Sequence, residues 1–481
     1  MKTRTFLGAF SAASALLVPL PSGAQTFEFK GGYPTQETVR KAYDSLDLNR
    51  AIQAYRIFYP TVSGYAILKG NEKLGIFPNK SSGTLDTQPR HVGYTLNSDT
   101  PYAPLFLDLT DGPMVVELPA GPLICIAMDL NQRWVADLGV PGPSAGKGDK
   151  VVFLPPGYKG GDPAGYRVAR STTFRMLVGV RSLPVGGNVP EAVERIKTIK
   201  VRPLDGEPDK SESDWKDLTP IPQDTTPLAW ETNFQYWQAL NDVVQSEPPF
   251  DGYRDAYGEL AALGIEKGRP FEPDSRMKDI LTEAARTANA QMRVESFADR
   301  RADRIVWPDR KWEWAALRFE DGDFNATHHV DTYARDKWFF QAIGSSPAMF
   351  RRDTKAGSLY WLAQRDRTGA FLEGGKTYKL SVPQPVPAHL FWSVTVYDAE
   401  TRSQIATEQG KAALRSLFEL KDEPQSGVTE LHFGPQAPEG QDKVWIRTIP
   451  GKGWFAYFRI YGPGEAAFDG TWKPADFEEV K

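Results

Sequence analysis

Asn97-Ser98-Asp99-Thr100-Pro101-Tyr102 leads into Ala103-Pro104-Leu105-Phe106-Leu107-Asp108-Leu109, turns through Thr110-Asp111-Gly112-Pro113, and returns as Met114-Val115-Val116-Glu117-Leu118-Pro119. Short apolar runs joined by an Asp-Gly-Pro turn read as a pair of buried strands. The hexapeptide at their head carries amide, hydroxyl, carboxylate and phenol groups, with Pro101 fixing the backbone among them. Polar side chains gathered on a loop above rigid strands form the kind of rim that meets ligands.

The same texture extends outward. Between residues 91 and 204, apolar runs at 114–118, 123–130, 151–154 and 176–180 alternate with Gly/Pro turns, the pattern of a sandwich or barrel. On the N-terminal side, Val39, Ala42, Tyr43, Leu46, Ala51, Ile52, Tyr55 and Phe58 recur near helical spacing. They predict a helix over 35–62 that Pro60 closes, followed by a link through 64–89. On the C-terminal side, 190–197 reads as a short helix and 205–224 as a charged, Pro-rich linker. Helices follow: a stripe of Trp230, Phe234, Trp237, Leu240 and Val244, a segment over 253–263, and a longer helix capped by Asp274-Ser275. From Tyr360 the pattern is β again, with strands at 377–382, 390–397, 429–433, 444–448 and 455–461. The expected organisation is α+β multidomain: an N-terminal helical segment and link to 90, a first β domain over 91–204, linker and helices over 205–306, and a second β domain over 307–481.

Bulk properties bound the function. The chain has 481 residues, 41% apolar and 25% charged, enough for two or three domains with full cores. Met1-Lys2-Thr3-Arg4, an apolar run over 6–20 and small residues at Ser22 and Ala24 have the three parts of an export signal. Cleavage after Ala24 would leave Gln25 first, and the expected compartment is periplasmic or extracellular. No later stretch is a transmembrane candidate. Net charge is −4, or −6 once Lys2 and Arg4 are removed, with no basic run, which argues against a nucleic-acid partner. Cys125 is the only cysteine, so no internal disulfide can form. It sits in a buried-strand pattern that suits a core thiol better than a nucleophile.

Several residues could carry chemistry. Asn97, Asp99, Thr100 and Tyr102 suit a polar ligand or a hard divalent cation such as Ca²⁺ or Mg²⁺; they equally suit a turn whose side chains bond their own backbone. Arg133, beside Trp134 and after Asp129 and Asn131, suits an anion clamp or a surface ion pair. Trp392, Tyr397, Arg402, Arg459 and Tyr461 suit a groove of rings and guanidiniums, or core aromatics with paired arginines. Gly142-Pro143-Ser144-Ala145-Gly146 matches G-x-S-x-G, but a strand rather than a helix follows it, so it reads as a loop. His91, His328, His329, His389 and His432 form no zinc motif, and no phosphate-binding or dinucleotide fingerprint supports a nucleotide cofactor.

Two sets of motifs resemble a known pairing. Asn97-x-Asp99-Thr100-x-Tyr102 with Asp108-Leu109, Gly112-Pro113 and Pro155-Pro156-Gly157-Tyr158-Lys159-Gly160 resembles the domain of unknown function DUF1254. Phe391-Trp392-Ser393-Val394-Thr395-Val396-Tyr397-Asp398, Phe458-Arg459-Ile460-Tyr461-Gly462-Pro463 and Asp469-Gly470-Thr471-Trp472-Lys473-Pro474 resemble DUF1214. Where the second pattern would have Ala-Val-Tyr-Pro, this chain has Gly357-Ser358-Leu359-Tyr360-Trp361 and keeps only the tyrosine. The resemblance implies two jelly-roll-like β-sandwiches with an all-α part, and it implies no settled activity. Two functions are therefore expected. One is a hydrolase acting on a polar or anionic small molecule, glycan or lipid head group in a cleft between the β domains. Asp99 and Tyr102 would be its catalytic pair, and Asn97, Thr100, Arg133, Trp392, Tyr397 and Arg459 would bind substrate. The alternative is a non-catalytic carbohydrate- or ligand-binding or envelope-scaffold protein using the same cleft.

Overall fold

A computed structural model describes residues 27–206, 214–317, 322–354 and 357–480. The expected export signal over 1–24 and its cleavage point lie outside the described residues. The chain divides into two compact units, residues 1–47 and 48–481. In the first, Phe29–Lys30 and Tyr33–Pro34 pair as a hairpin, and Thr38 Oγ1 donates to Glu28 O at 2.9 Å.

The helix Gln36–Glu72 does not stop at Pro60 as expected; it runs three turns further with the proline inside it. A proline there forfeits one backbone hydrogen bond and costs about 3 kcal/mol in an isolated helix. Tertiary packing offsets that cost, because every residue from 58 to 68 is buried. The Pro60 carbonyl also accepts from Gln132 Nε2 at 2.9 Å.

In the second unit, two large sheets each share a core with a smaller one. The first six-stranded sheet orders its strands Asp214–Asp217, Ser81–Asp86, Pro101–Asp108, Arg175–Ser182, Leu123–Asp129 and Trp134–Gly139. Its four-stranded partner runs Arg167–Arg170, Lys147–Leu154, Met114–Ala120 and Lys200–Pro203. Leu105, Leu107, Cys125 and Val178 from one sheet meet Met114, Val116, Val151 and Phe153 from the other. Burial there pushes the Cys125 thiol up to about 12, consistent with a core role. The strands Ser81–Asp86 and Asp214–Asp217 fall in stretches expected to be links. They pair in parallel with each other, a contact between distant segments that no local pattern announces.

The second β region repeats the plan. A five-stranded sheet runs Glu313–Trp314, Ser358–Ala363, Trp454–Pro463, Ala388–Asp398 and Ala413–Arg415. It packs on a four-stranded one through Trp361, Val394, Val396, Phe458, Leu380, Leu431 and Phe433. Helices Gln235–Ser246, Arg254–Ala262 and Ser275–Phe297 fill the expected all-α block, and Asp274 caps the last by accepting from Met277 N at 2.8 Å. The helix Thr332–Gln341 joins them. Trp237, Leu240, Leu281 and Trp338 from these helices share one apolar cluster with Tyr55 and Phe58 of the long helix. Phe106 from the outer face of the first large sheet and Tyr360, Tyr397 and Tyr457 from that of the second join it.

Candidate functional site

Period-two alternation decides which side chains reach the space between the two large sheets. On Arg175–Ser182, Met176, Val178 and Val180 enter the first sandwich core, so Leu177, Gly179 and Arg181 point the other way. On Pro101–Asp108, Ala103, Leu105 and Leu107 go inward, leaving Tyr102, Pro104 and Phe106 outside. On Trp454–Pro463, Phe458 and Ile460 are in the second core, and Tyr457, Arg459 and Tyr461 are on the outer face. The outer faces enclose a cavity of about 170 Å³.

Most of the wall is apolar: Ile67, Leu85, Ile126, Met128, Leu177, Trp338, Ile343 and Met349. The polar end is made of two matched cross-strand pairs. Arg181 lies opposite Tyr102 on the first sheet, and Arg459 lies opposite Tyr360 on the second. Asn97 Nδ2 donates to the Tyr102 oxygen at 2.8 Å, which leaves the Tyr102 proton free. Ser358 Oγ donates to the Tyr360 oxygen at 2.6 Å with the same result. Burial pushes the Tyr102 phenol above its ordinary value, against the pull of Arg181 and Arg459, so it stays protonated at neutral pH. Arg459 is buried, spends Nη2 on Thr95 O at 2.9 Å, and stacks on the rings of Tyr360, Tyr397 and Tyr457. Arg181 is half-buried and lies over Tyr102 and Tyr461 with no carboxylate pair among the described residues. This end of the cavity therefore offers hydrogen-bond donors, and the lining holds no Asp, Glu, His, Lys, Ser or Cys.

In the hexapeptide Asn97, Asp99, Thr100 and Pro101 are buried and Ser98 and Tyr102 half-buried, and its residues divide between two sides. Asn97 and Tyr102 line the cavity. Asp99 and Thr100 line a separate polar groove of about 320 Å³, with Gln404, Lys411 and Arg415. Asp99 Oδ2 accepts from Ser393 Oγ at 2.9 Å and from Tyr461 at 3.1 Å, tying the loop to the second sheet. Asn97 Oδ1 accepts from Asp99 N at 3.1 Å, a local turn bond of the side chain to the backbone. Asp99 and Tyr102, expected as a catalytic pair, thus face different spaces. Tyr397 donates to Leu96 O at 2.8 Å and holds the loop from behind.

Two expected binding residues are elsewhere. Trp392 stacks on Phe458 inside the second sandwich, because it alternates with Ser393 and falls on the inner face. Arg133 pairs with Asp323 at 2.8 Å and lies 3.8 Å over the Phe250 ring, outside this cavity. Arg402 is spent on a buried ion pair with Glu231. His328 and His329 are exposed on a loop. Among the described residues, no three His, Cys, Asp or Glu side chains gather to hold a metal, and no helix is long and apolar enough to cross a membrane. Sequence reasoning passed over Arg181 and Tyr457 and cited Tyr360 only for its motif. The available signal was Arg181 directly after the apolar run 176–180.

The pattern of DUF1254, a protein of unknown function, matches residues 82–203, and that of DUF1214, likewise of unknown function, matches 357–465. The chain carries a DUF1254 match followed by a DUF1214 match. Its donor cluster is built by both domains: Asn97, Tyr102 and Arg181 lie in the DUF1254 range, and Tyr360, Tyr457 and Arg459 in the DUF1214 range. No curated protein matches the chain. Among solved structures it is similar to the VPA0106 protein from Vibrio parahaemolyticus, with 16% identity, 90% of this chain and 100% of that one covered, and a TM-score of 0.56. That likeness shows a shared fold. An uncharacterised protein from Burkholderia cenocepacia aligns over 92% of this chain and 96% of its own at 10% identity, with a TM-score of 0.38.

Proposed function

We propose that this DUF1254–DUF1214 chain is an exported, periplasmic or secreted, binding protein that holds a small molecule with an apolar body in the cavity between its two sandwiches. One observation carries the reading: apolar walls end in a cluster of donors, with no Asp, Glu, His, Lys, Ser or Cys in the lining. A hydrolase needs a general base or an activated nucleophile within reach of the reacting atom. Asp99, the acid proposed for that role, spends one oxygen on Ser393 and Tyr461 and faces the other groove. The binding reading is therefore preferred to the hydrolytic one. A glycan, which exposes hydroxyls along its whole length, suits the largely apolar walls less well than an anionic or lipid-derived amphiphile, although Asn71 and Gln223 add acceptors to the lining. Each sandwich is of jelly-roll type, supported by a large sheet sharing its core with a four-stranded one.

Gly179 supplies the test. A Cβ built there meets only Ile126, with Cγ2 at 3.6 Å, so a larger side chain can project into the cavity without clashing with the backbone. A thermal-shift screen of amphiphilic small molecules is expected to raise Tm for the native protein and to leave Gly179→Leu unmoved. Equal shifts in both would place the binding site elsewhere. For export, cell fractionation with N-terminal sequencing is expected to find Gln25 first in the mature chain. An intact Met1 on cytoplasmic protein would overturn that part.

A further inference from the structure

We infer that the ligand's head is a carboxylate, so that the cavity takes a hydrocarbon or aryl carboxylic acid as a monoanion; this rests on the cavity being the binding site. Tyr102 accepts from Asn97, and Tyr360 accepts from Ser358 and from Arg181, so each phenol has its own proton left to give. The Tyr457 hydroxyl is buried beside the Thr95 side chain and has no other partner among the described residues. Arg181 adds a guanidinium beside the two phenols. Such a cluster calls for an acceptor, and no side chain of the lining supplies one with a negative charge.

Charge narrows the class. A half-buried guanidinium without a counter-ion is costly, and an incoming anion relieves that cost. The lining holds two arginines and no lysine. Arg459 is already balanced inside the protein: Nη2 donates to Thr95 O at 2.9 Å, three rings flank the guanidinium and the Asp99 carboxylate acts on it, although its Nε and Nη1 have no partner among the described residues. Arg181, the lining arginine with no carboxylate beside it among the described residues, matches one negative charge. A planar carboxylate also fits the guanidinium fork in a bidentate way while its oxygens take the phenol protons. A phosphomonoester dianion would leave a charge uncompensated, and a cationic head would face Arg181 directly. The remainder of the ligand would lie along Leu177, Ile126 and Met128.

Calorimetric titration of the full mature chain with decanoate, decanol, decyl phosphate and decyltrimethylammonium tests this. Decanoate is expected to bind at least about tenfold more tightly than decanol, the scale of one charge-assisted hydrogen-bonded pair. Arg181→Met should remove that advantage and leave decanol binding in place, which also shows that the variant folds with its cavity intact. Tyr102→Phe and Tyr360→Phe should each weaken decanoate by a few-fold and spare decanol. Equal affinity for decanoate and decanol, or tighter binding of decyl phosphate, would overturn the carboxylate assignment while the apolar cavity stands. Failure of all four probes, or binding that Gly179→Leu does not disturb, would overturn the site itself.

Discussion

The residues with the most at stake in the interior are Glu231 and Arg402. Arg402 is fully buried with φ of +57°, a left-handed conformation that a long side chain adopts only when its surroundings hold it there. Its Nη2 meets Glu231 Oε2 at 2.7 Å, and Tyr59 donates to the same oxygen at 2.8 Å. Burial works to raise the Glu231 carboxyl, but Arg402 and the hydroxyls of Tyr59 and Tyr94 outweigh it and hold the group below its ordinary value. A carboxyl depressed on folding stabilises above its unfolded pKa, and that contribution is lost as pH falls through the folded value. Glu231→Gln is expected to cost about 3–5 kcal/mol at pH 7 by stranding the Arg402 charge. The penalty relative to the native protein should shrink on acidification, measured by urea unfolding across pH. A penalty that stays constant with pH would contradict the pair.

Asp129 behaves in the opposite sense. Burial pushes it up to about 6, against hydrogen bonds from Thr172 and Arg133 N. The folded state therefore holds a proton that the unfolded chain has already lost, and stability falls as pH rises from about 4 to about 6. That fall amounts to about 3 kcal/mol from this residue. Asp129→Asn is expected to flatten that part of the stability profile, and an unchanged slope would refute the assignment.

At the scale of elements, the strand Arg175–Ser182 carries the site. Its inner residues build a core, and its outer residues Leu177, Gly179 and Arg181 provide a wall, a space and a charge in turn. Glycine inside a strand is less stable than a residue with a side chain by roughly 0.5–1 kcal/mol. Gly179→Leu should therefore leave the ligand-free Tm unchanged or raise it while abolishing ligand shifts. A large drop in Tm would show that the space at 179 is already filled. The helix Gln36–Glu72 makes the complementary point: burial on all sides carries it through Pro60, against the local preference to stop.

For the molecule as a whole, the outer faces of the two large sheets and the helices belong to one apolar cluster that draws on residues from Ala51 to Tyr457. Neither sandwich covers its outer face by itself. Calorimetry of residues 48–481 is expected to give a single cooperative transition, and two resolved transitions would contradict the shared core. Expressed alone, residues 357–480 would expose Phe391, Tyr397, Phe455, Tyr457 and Tyr461 on one face, and the fragment is expected to aggregate.

Local chemistry in the chain was enough to define the strands around Asn97–Tyr102, the β–α–β order, the Asp274 cap and the paired DUF1254–DUF1214 motifs. Alternation, turn residues and capping groups act over a few residues, so they can be read without the fold. Tertiary structure alone decided that Trp392 faces inward, that Asp99 and Tyr102 open onto different spaces, and that Arg133 and Arg402 are spent on ion pairs. It also brought Arg181 and Tyr360, far apart in the chain, to one end of a cavity. Alternation says that a strand has two faces; only the packing of distant strands and helices against it says which face meets solvent, core or ligand.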